Sequence, residues 1–311
     1  AMLDGGTTGT ASSPVDGRRT IGSISQQWFR SASTTNGSFS LISTALSVED
    51  TNAPGDGTHR WYKAILTASG ATPLEFVAEG WRVAFVAVDG GDFFSCALTA
   101  LSDGGRVWCW GANDSGQLGR GFATSEEAFL PARVSGLTDV VELSVGGSHV
   151  CARKSAGAVH CWGANVGGQL GVGDFSQRTT ATTVAGGLVA SSLSAGRNET
   201  CAVANAQVKC WGANGAGQLG NNTTANSHTP VTVVKANGVA LDSIVSVGAD
   251  AHSCAVASDG KVWCWGRNSS GALGSEQSSD RPYAQEVPNL TGVAEVVVGA
   301  SDNTCSRLQG G

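Results

Sequence analysis

Cys264-Trp265-Gly266-Arg267-Asn268-Ser269-Ser270-Gly271-Ala272-Leu273-Gly274 has three earlier counterparts in the chain. They start at Cys109, Cys161 and Cys210 and read Cys-Trp-Gly-Ala-Asn, two variable residues, then Gly-Gln-Leu-Gly. The tryptophans Trp110, Trp162, Trp211 and Trp265 follow one another at intervals of 52, 49 and 54 residues, a period that belongs to repeat architectures. Upstream of each phrase lies an apolar run, a Cys-Ala pair, a turn and an alternating strand. In the last full copy these are Ile244 to Gly248, His252 to Val256, Ser258-Asp259-Gly260, and Lys261 to Trp265. That order is strand, strand, tight turn, strand, and no helical period competes with it.

These residues resemble the regulator of chromosome condensation repeat family, whose members carry Trp-Gly-x-Asn-x-x-Gly-Gln-Leu-Gly after a hairpin. The likeness runs from about Arg82 to Leu308. It implies an all-β fold of β-propeller blades, four complete and a partial fifth, from a ring that closes with seven. The blades are expected at about 81–135, 136–187, 188–238, 239–290 and 291–311. Glycines such as Gly111, Gly116 and Gly119 fit positive φ or close backbone approach.

Ahead of the repeats, residues 1–22 are rich in Gly, Thr and Ser and read as a linker or a frayed domain start. Residues 23–80 carry strands of another style, with Trp28, a Pro54-Gly55-Asp56-Gly57 turn and Trp61-Tyr62. They resemble an immunoglobulin or fibronectin type III β-sandwich, complete or incomplete, of the kind found in bacterial surface proteins. Trp28, Trp61 and Tyr62 fit core packing better than a carbohydrate platform because they sit on alternating strands.

Eight of the nine cysteines fall two per blade: Cys96 with Cys109, Cys151 with Cys161, Cys201 with Cys210, and Cys254 with Cys264. Their separations vary (13, 10, 9 and 10), yet folding each hairpin about its turn sets the two cysteines opposite one another. Opposed residues on antiparallel strands lie within disulfide reach. A cysteine that merely filled a small apolar position would have no reason to recur in facing pairs. Four intra-blade disulfides are therefore expected, and with them an oxidising compartment. That points to a secreted bacterial type, extracellular or at the cell surface. Cys305 begins a fifth pair with no second cysteine after it, so the sequence predicts further blades after Gly311 or a strand supplied by another chain.

Net charge is -6 and no basic run occurs, which excludes a general nucleic-acid surface. No apolar run reaches the ~20 residues of a membrane span. P-loop, Gly-x-Ser-x-Gly and His-Glu-x-x-His signatures are missing, so neither catalysis nor a cofactor is expected. His149, His252 and His160 beside the cysteines raise a zinc site, but the same repeat slots hold Phe94, Glu199 and Asn303, or Trp108, Lys209 and Trp263. A repeat position explains them better than a metal ligand. The acids Glu126 and Glu127 read as solvated loop charges.

The segments that vary most between blades are Arg120 to Pro131, Val172 to Thr183, Asn221 to Pro230 and Ser275 to Pro288. Phe122, Phe129, Phe175 and Tyr283 are aromatic in these polar stretches and read either as partner-binding anchors or as residues packed on the blade edge. The function read from the sequence is a non-enzymatic extracellular scaffold whose inter-blade loops bind a protein or glycan, with self-association through open blade edges. The alternatives are a structural module of a large cell-surface or filament-forming protein and, as the family name implies, an exchange factor for a small GTPase. The shared residues are fold-forming ones and carry none of these activities by themselves.

Overall fold

The computed structural model describes residues 85–299 and 302–310, together with the backbone of four strands nearer the amino terminus. Those strands are β1 (Ile24–Ser31), β2 (Phe39–Ser43), β3 (Arg60–Ala68) and β4 (Leu74–Gly80), and they form one antiparallel sheet in the order β2-β1-β3-β4. The sandwich expected over 23–80, with Trp28, Trp61 and Tyr62 in its core, rests on side chains outside the described residues. The segment 1–22 lies outside them too. The chain divides into two compact units, Ala1–Ala84 and Phe85–Gly311.

The second unit is a series of sheets, each an antiparallel meander in chain order. The first contains β5 (Phe85–Gly90), β6 (Phe94–Thr99), β7 (Val107–Asn113) and β8 (Thr124–Arg133). The second contains β9 (Val140–Val145), β10 (His149–Lys154), β11 (Val159–Gly163) and β12 (Arg178–Thr183). The third holds β13 (Ser192–Ala195), β14 (Glu199–Ala204), β15 (Gln207–Gly212) and β16 (Ser227–Thr232). In the fourth are β17 (Ile244–Ala249), β18 (His252–Ala257), β19 (Val262–Gly266) and β20 (Arg281–Glu286). A fifth holds β21 (Val293–Gly299) and β22 (Asn303–Leu308). This is the repeated four-stranded architecture of propeller blades.

First strands of successive sheets pack on one another, β5 on β9, β9 on β13, β13 on β17 and β17 on β21. Fourth strands make no comparable contact with the strands of a neighbouring sheet, so they form the outer side of each blade. Burial follows from this placement. All six residues of β14, and all six of β18, are buried, because each strand has a neighbour on both edges and a sheet over both faces. β8, by contrast, is mostly exposed along its length.

The fourth strands fall in the segments whose sequences vary most. Glu126 and Glu127, expected in a loop, are exposed residues of β8, and Phe129 and Tyr283 also lie on strands. An outer strand pairs with a strand of its own sheet along one edge only and is seldom fully buried, so it shows neither apolar alternation nor an apolar run. Its ladder is also irregular, with register shifts between Cys109 and Gly111 and between Gly111 and Asn113.

The apolar core is divided among the joints between sheets. One cluster joins sheets one and two through Leu98, Val107, Leu118, Val140, Val150 and Trp162. Leu170, Leu193, Ala202 and Trp211 belong to the next, and Leu219, Leu241, Ile244 and Trp265 to the third. The fourth, with Leu273, Val293 and Val296, contains no tryptophan.

Candidate interaction surfaces

The repeated phrase builds these joints by strand alternation. In Cys161-Trp162 the two side chains leave opposite faces of β11. The cysteine joins the core shared with the following sheet, and the indole joins the core shared with the preceding one. There the Trp162 Nε1–H donates to the Gln117 carbonyl at 2.9 Å, Trp211 to that of Gln169 at 2.9 Å, and Trp265 to that of Gln218 at 2.8 Å. A buried indole needs such an acceptor. The final glycine leaves room for it: a Cβ on Gly171 or Gly220 would come within 2.8 Å of the next indole, and both residues have φ near +65°.

The phrase asparagine and glutamine close the loop upon itself. Oδ1 of Asn113, Asn165, Asn214 and Asn268 accepts the N–H of the leucine five residues on. Their Nδ2 groups reach into the variable segments and donate to the carbonyls of Phe122, Asp174, Thr223 and Gln277. Oε1 of Gln117, Gln169 and Gln218 accepts a loop N–H at 2.9 Å in each case. The fixed residues thus hold the start of each variable segment in place.

In the structure, disulfides join Cys96 to Cys109, Cys151 to Cys161, Cys201 to Cys210 and Cys254 to Cys264. Each pair is directly opposed in its hairpin, with Cα atoms 4.1 to 4.2 Å apart, and is buried. Cys305 is an exposed free thiol.

Burial also governs the titratable groups at the joints. His149 Nε2 and Thr200 Oγ1 are hydrogen-bonded across a joint at 2.9 Å, and burial pushes the imidazole pKa down to about 3. His252 pairs with Thr304 Oγ1 at 2.7 Å and is likewise lowered by burial. Glu199 takes the same slot in the third sheet; burial first, then the Asp250 carboxylate, pushes it up to about 8. His160 bonds Thr183 Oγ1 at 3.2 Å across the sheet from a half-buried position, while Cys161 beside it is fully buried. Among the described residues, no group of three or more His, Cys, Asp or Glu is placed to hold a metal ion. No helix among them is long and apolar enough to cross a membrane.

The four aromatic residues read from the sequence occupy separate places. Phe122 precedes β8 and is 54% exposed; Phe129 lies on β8 at 81%, next to Leu130 at 74%. Phe175 packs edge-on against His228 of the next sheet's outer strand, with ring centroids 4.9 Å apart. Tyr283 is half-buried on β20 and lines an open groove of about 580 Å³ with Lys235, Trp263, Arg281 and Glu286. The wall bearing Lys235 is fixed by the Ala284 N–H, which donates to the Val234 carbonyl at 2.8 Å. Lys235 Nζ stands 5.2 Å from the Trp263 ring centroid. Trp263 occupies a repeat slot and gave no functional signal in the sequence; only the meeting of β19, β20 and the 234–240 connection sets it beside Tyr283.

Two family models described as the regulator of chromosome condensation (RCC1) repeat match the chain. One covers residues 104–153, 207–256 and 259–305, the other 85–117, 140–169 and 243–272. The chain is 32% identical over 235 residues to the ultraviolet-B receptor UVR8 of Arabidopsis thaliana, covering 73% of this chain and 52% of that protein. It is 30% identical over 231 residues to the probable E3 ubiquitin-protein ligase HERC6 of Homo sapiens, covering 70% of this chain and 22% of that one. It thus spans about half or less of these relatives. Among solved structures, human WBSCR16 aligns with a TM-score of 0.62 at 17% identity, over 81% of this chain and 70% of that one. Yeast RCC1 (Prp20), in its complex with Kap60, gives 0.60 at 19%, over 79% and 63%. At such identities the likeness is one of fold. By the repeat phrase, the sheet it builds and the matches over 85–169 and 207–305, the chain belongs to the regulator of chromosome condensation (RCC1) repeat family.

Proposed function

We propose that this propeller segment is a non-catalytic binding scaffold working in an oxidising, extracellular or cell-surface setting, with its outer strands as the recognition surface. The observation that carries the proposal is the exposure of Phe122, Phe129 and Leu130 at the outermost strand of a disulfide-stapled sheet. Large apolar side chains held out by a rigid scaffold, among polar neighbours, have the composition of contact anchors. The Trp263–Tyr283 groove, with cationic and anionic groups on its walls, adds a site fitted to a peptide or glycan. The buried disulfides support the setting, because cytosolic thiols are kept reduced.

The test is capture from native culture medium and cell-surface extract on immobilised protein, beside a Phe122→Ala/Phe129→Ala double variant. The proposal expects a bound species that the variant loses while its melting temperature stays within about 1 °C. Identical capture by both proteins would remove the first sheet's outer strand from the binding surface. Thiol counting addresses the setting separately: protein from its native source, denatured without reductant, should show Cys305 alone as free thiol.

A further inference from the structure

Asn-Gly occurs three times in the chain, at Asn36-Gly37, Asn214-Gly215 and Asn237-Gly238. The dipeptide has a chemistry of its own, because glycine has no Cβ to keep its backbone nitrogen from closing on the carboxamide before it. Asn36 lies outside the described residues. The other two stand in opposite surroundings.

Asn214 is the phrase asparagine of the third sheet and is fully buried. Its Nδ2 donates to the carbonyls of Thr223 at 3.0 Å and Ala225 at 2.9 Å, and its Oδ1 accepts the Leu219 N–H at 2.9 Å. Both ends of the carboxamide are bound within the loop, out of reach of water.

Asn237 is exposed, at the tip of the connection between β16 and β17. There the Lys235 N–H donates to the Val239 carbonyl at 2.8 Å and the Gly238 N–H to the Lys235 carbonyl at 2.9 Å, closing a tight loop over Ala236, Asn237 and Gly238. Gly238 has φ +78°, and a Cβ built on it would have nothing within 4 Å. Asn237 Oδ1 accepts the Val239 N–H at 3.1 Å, the one side-chain bond it makes among the described residues. That bond draws the carboxamide forward over Gly238 and polarises the Cγ=O to which a nucleophile would add.

We propose that Asn237 is a site of spontaneous deamidation, at which the side-chain amide becomes a carboxylate with water as the only co-reactant. The Gly238 N–H leaves the Lys235 carbonyl and gives its proton to hydroxide, and the nitrogen adds to Cγ of Asn237. The new N–Cγ bond closes a succinimide ring. The Cγ–Nδ2 bond breaks, and Nδ2 takes its electron pair and a proton from water to leave as ammonia. Water then opens the ring: cleavage at Cγ gives aspartate, and cleavage at the original peptide carbon gives isoaspartate, with the chain routed through Cβ and Cγ. The effect falls on the groove described above, which Asn237 and Lys235 line together with Trp263 and Tyr283. A carboxylate enters the wall that carries the Lys235 ammonium and turns the groove against acidic ligands. Only that effect rests on the groove being a binding site; the reaction does not.

The test keeps the full chain folded, disulfides intact, at mildly alkaline pH for weeks. Peptide mass reads the exchange of NH2 for OH, and enzymatic methylation reads isoaspartate. Conversion at Asn237 should outpace that at Asn214 at least about tenfold, because Asn214 reacts only from an opened state. It should slow as pH is lowered, since the attacking nitrogen must lose its proton. Unfolding in urea with reductant should bring the two sites to within about twofold of each other. Asn237→Gln, whose longer side chain closes a ring less readily, should lose the conversion while Asn214 in urea keeps its rate. Equal rates at the two sites in the folded chain would overturn the proposal. So would an Asn237 that stays intact in the folded chain and reacts in urea, since the loop would then be protecting it. Neither result alters what the capture experiment above reads.

Discussion

Replacing Glu199 by glutamine should change the pH dependence of stability in one direction only. The side chain is buried in β14, where Oε2 accepts the Asn198 N–H at 3.3 Å and Oε1 has no hydrogen-bond partner among the described residues. Asp250 stands close enough to oppose a second negative charge, and with burial it pushes the pKa up to about 8. An unfolded glutamate titrates near its ordinary value of about 4.3. Between these values the folded chain holds a proton that the unfolded chain has released, so stability is full below about pH 4.3 and falls as pH rises through 8. Integrated from pH 5 to pH 8, the loss is on the order of 3 kcal/mol.

Glutamine is close in shape and carries no proton to lose. The stability of Glu199→Gln minus that of the parent should therefore grow by about 3 kcal/mol between pH 5 and pH 8. His149 works the other way: its pKa is pushed down to about 3, so its contribution is present above about pH 6.5 and is lost on acidification. It is common to both proteins and cancels in the difference. Urea unfolding with the disulfides intact, at unit pH steps, measures the effect. A difference that stays constant with pH to within about 0.5 kcal/mol would refute a protonated Glu199.

Other outcomes follow from the same contacts. Cys201→Ser/Cys210→Ser should cost about 2 to 3 kcal/mol, the entropy of a short closed loop, and hydrogen exchange should rise in the third and fourth sheets before the first. Trp211→Phe removes the Nε1 bond to Gln169 O and leaves a gap beside Gly171, so chemical denaturation should show a loss of about 2 kcal/mol or more. Phe129→Ala should leave the melting temperature within about 1 °C, because the ring is 81% exposed; a large fall would show it packed in solution.

What the sequence makes legible is what every blade must repeat. The opposed cysteines, the hairpin between them and the phrase after them survive changes of turn length because each closes a joint with its neighbour. Asn165 or Gly171 cannot vary without unmaking the loop that receives the next indole. The outer strands escape the same reading because no further sheet packs over them: β8 is mostly exposed, β12 is at most half-buried, and neither needs a periodic pattern. Glu199 is hidden for a related reason. A carboxylate in a strand reads as solvent-facing, and only Asp250 of the adjoining sheet, packed with Gly196 of the residue's own hairpin, makes the position dry. The Tyr283 groove depends on the connection after β16 lying beside β20, a tertiary event with no sequence period.

Alternation within one dipeptide has a consequence for how the blades hold together. The Cys161-Trp162 and Cys210-Trp211 pairs send their disulfides into the joint ahead and their indoles into the joint behind, as Trp265 does, so each of the first three joints contains the bridge of one sheet and the indole of the next. Cys151 Sγ lies 3.8 Å from Thr200 Oγ1 and Cys201 Sγ lies 3.8 Å from Ser253 Oγ, which sets each bridge against the polar group that shares the indole's acceptor. A bridge is thus part of its neighbour's packing as well as a staple in its own hairpin. Loss of one should loosen the sheet that follows more than the sheet that precedes, and the stack is directional even though its sheets are alike. The last joint keeps that direction, with the Cys254–Cys264 bridge packed among Leu273, Val293 and Val296.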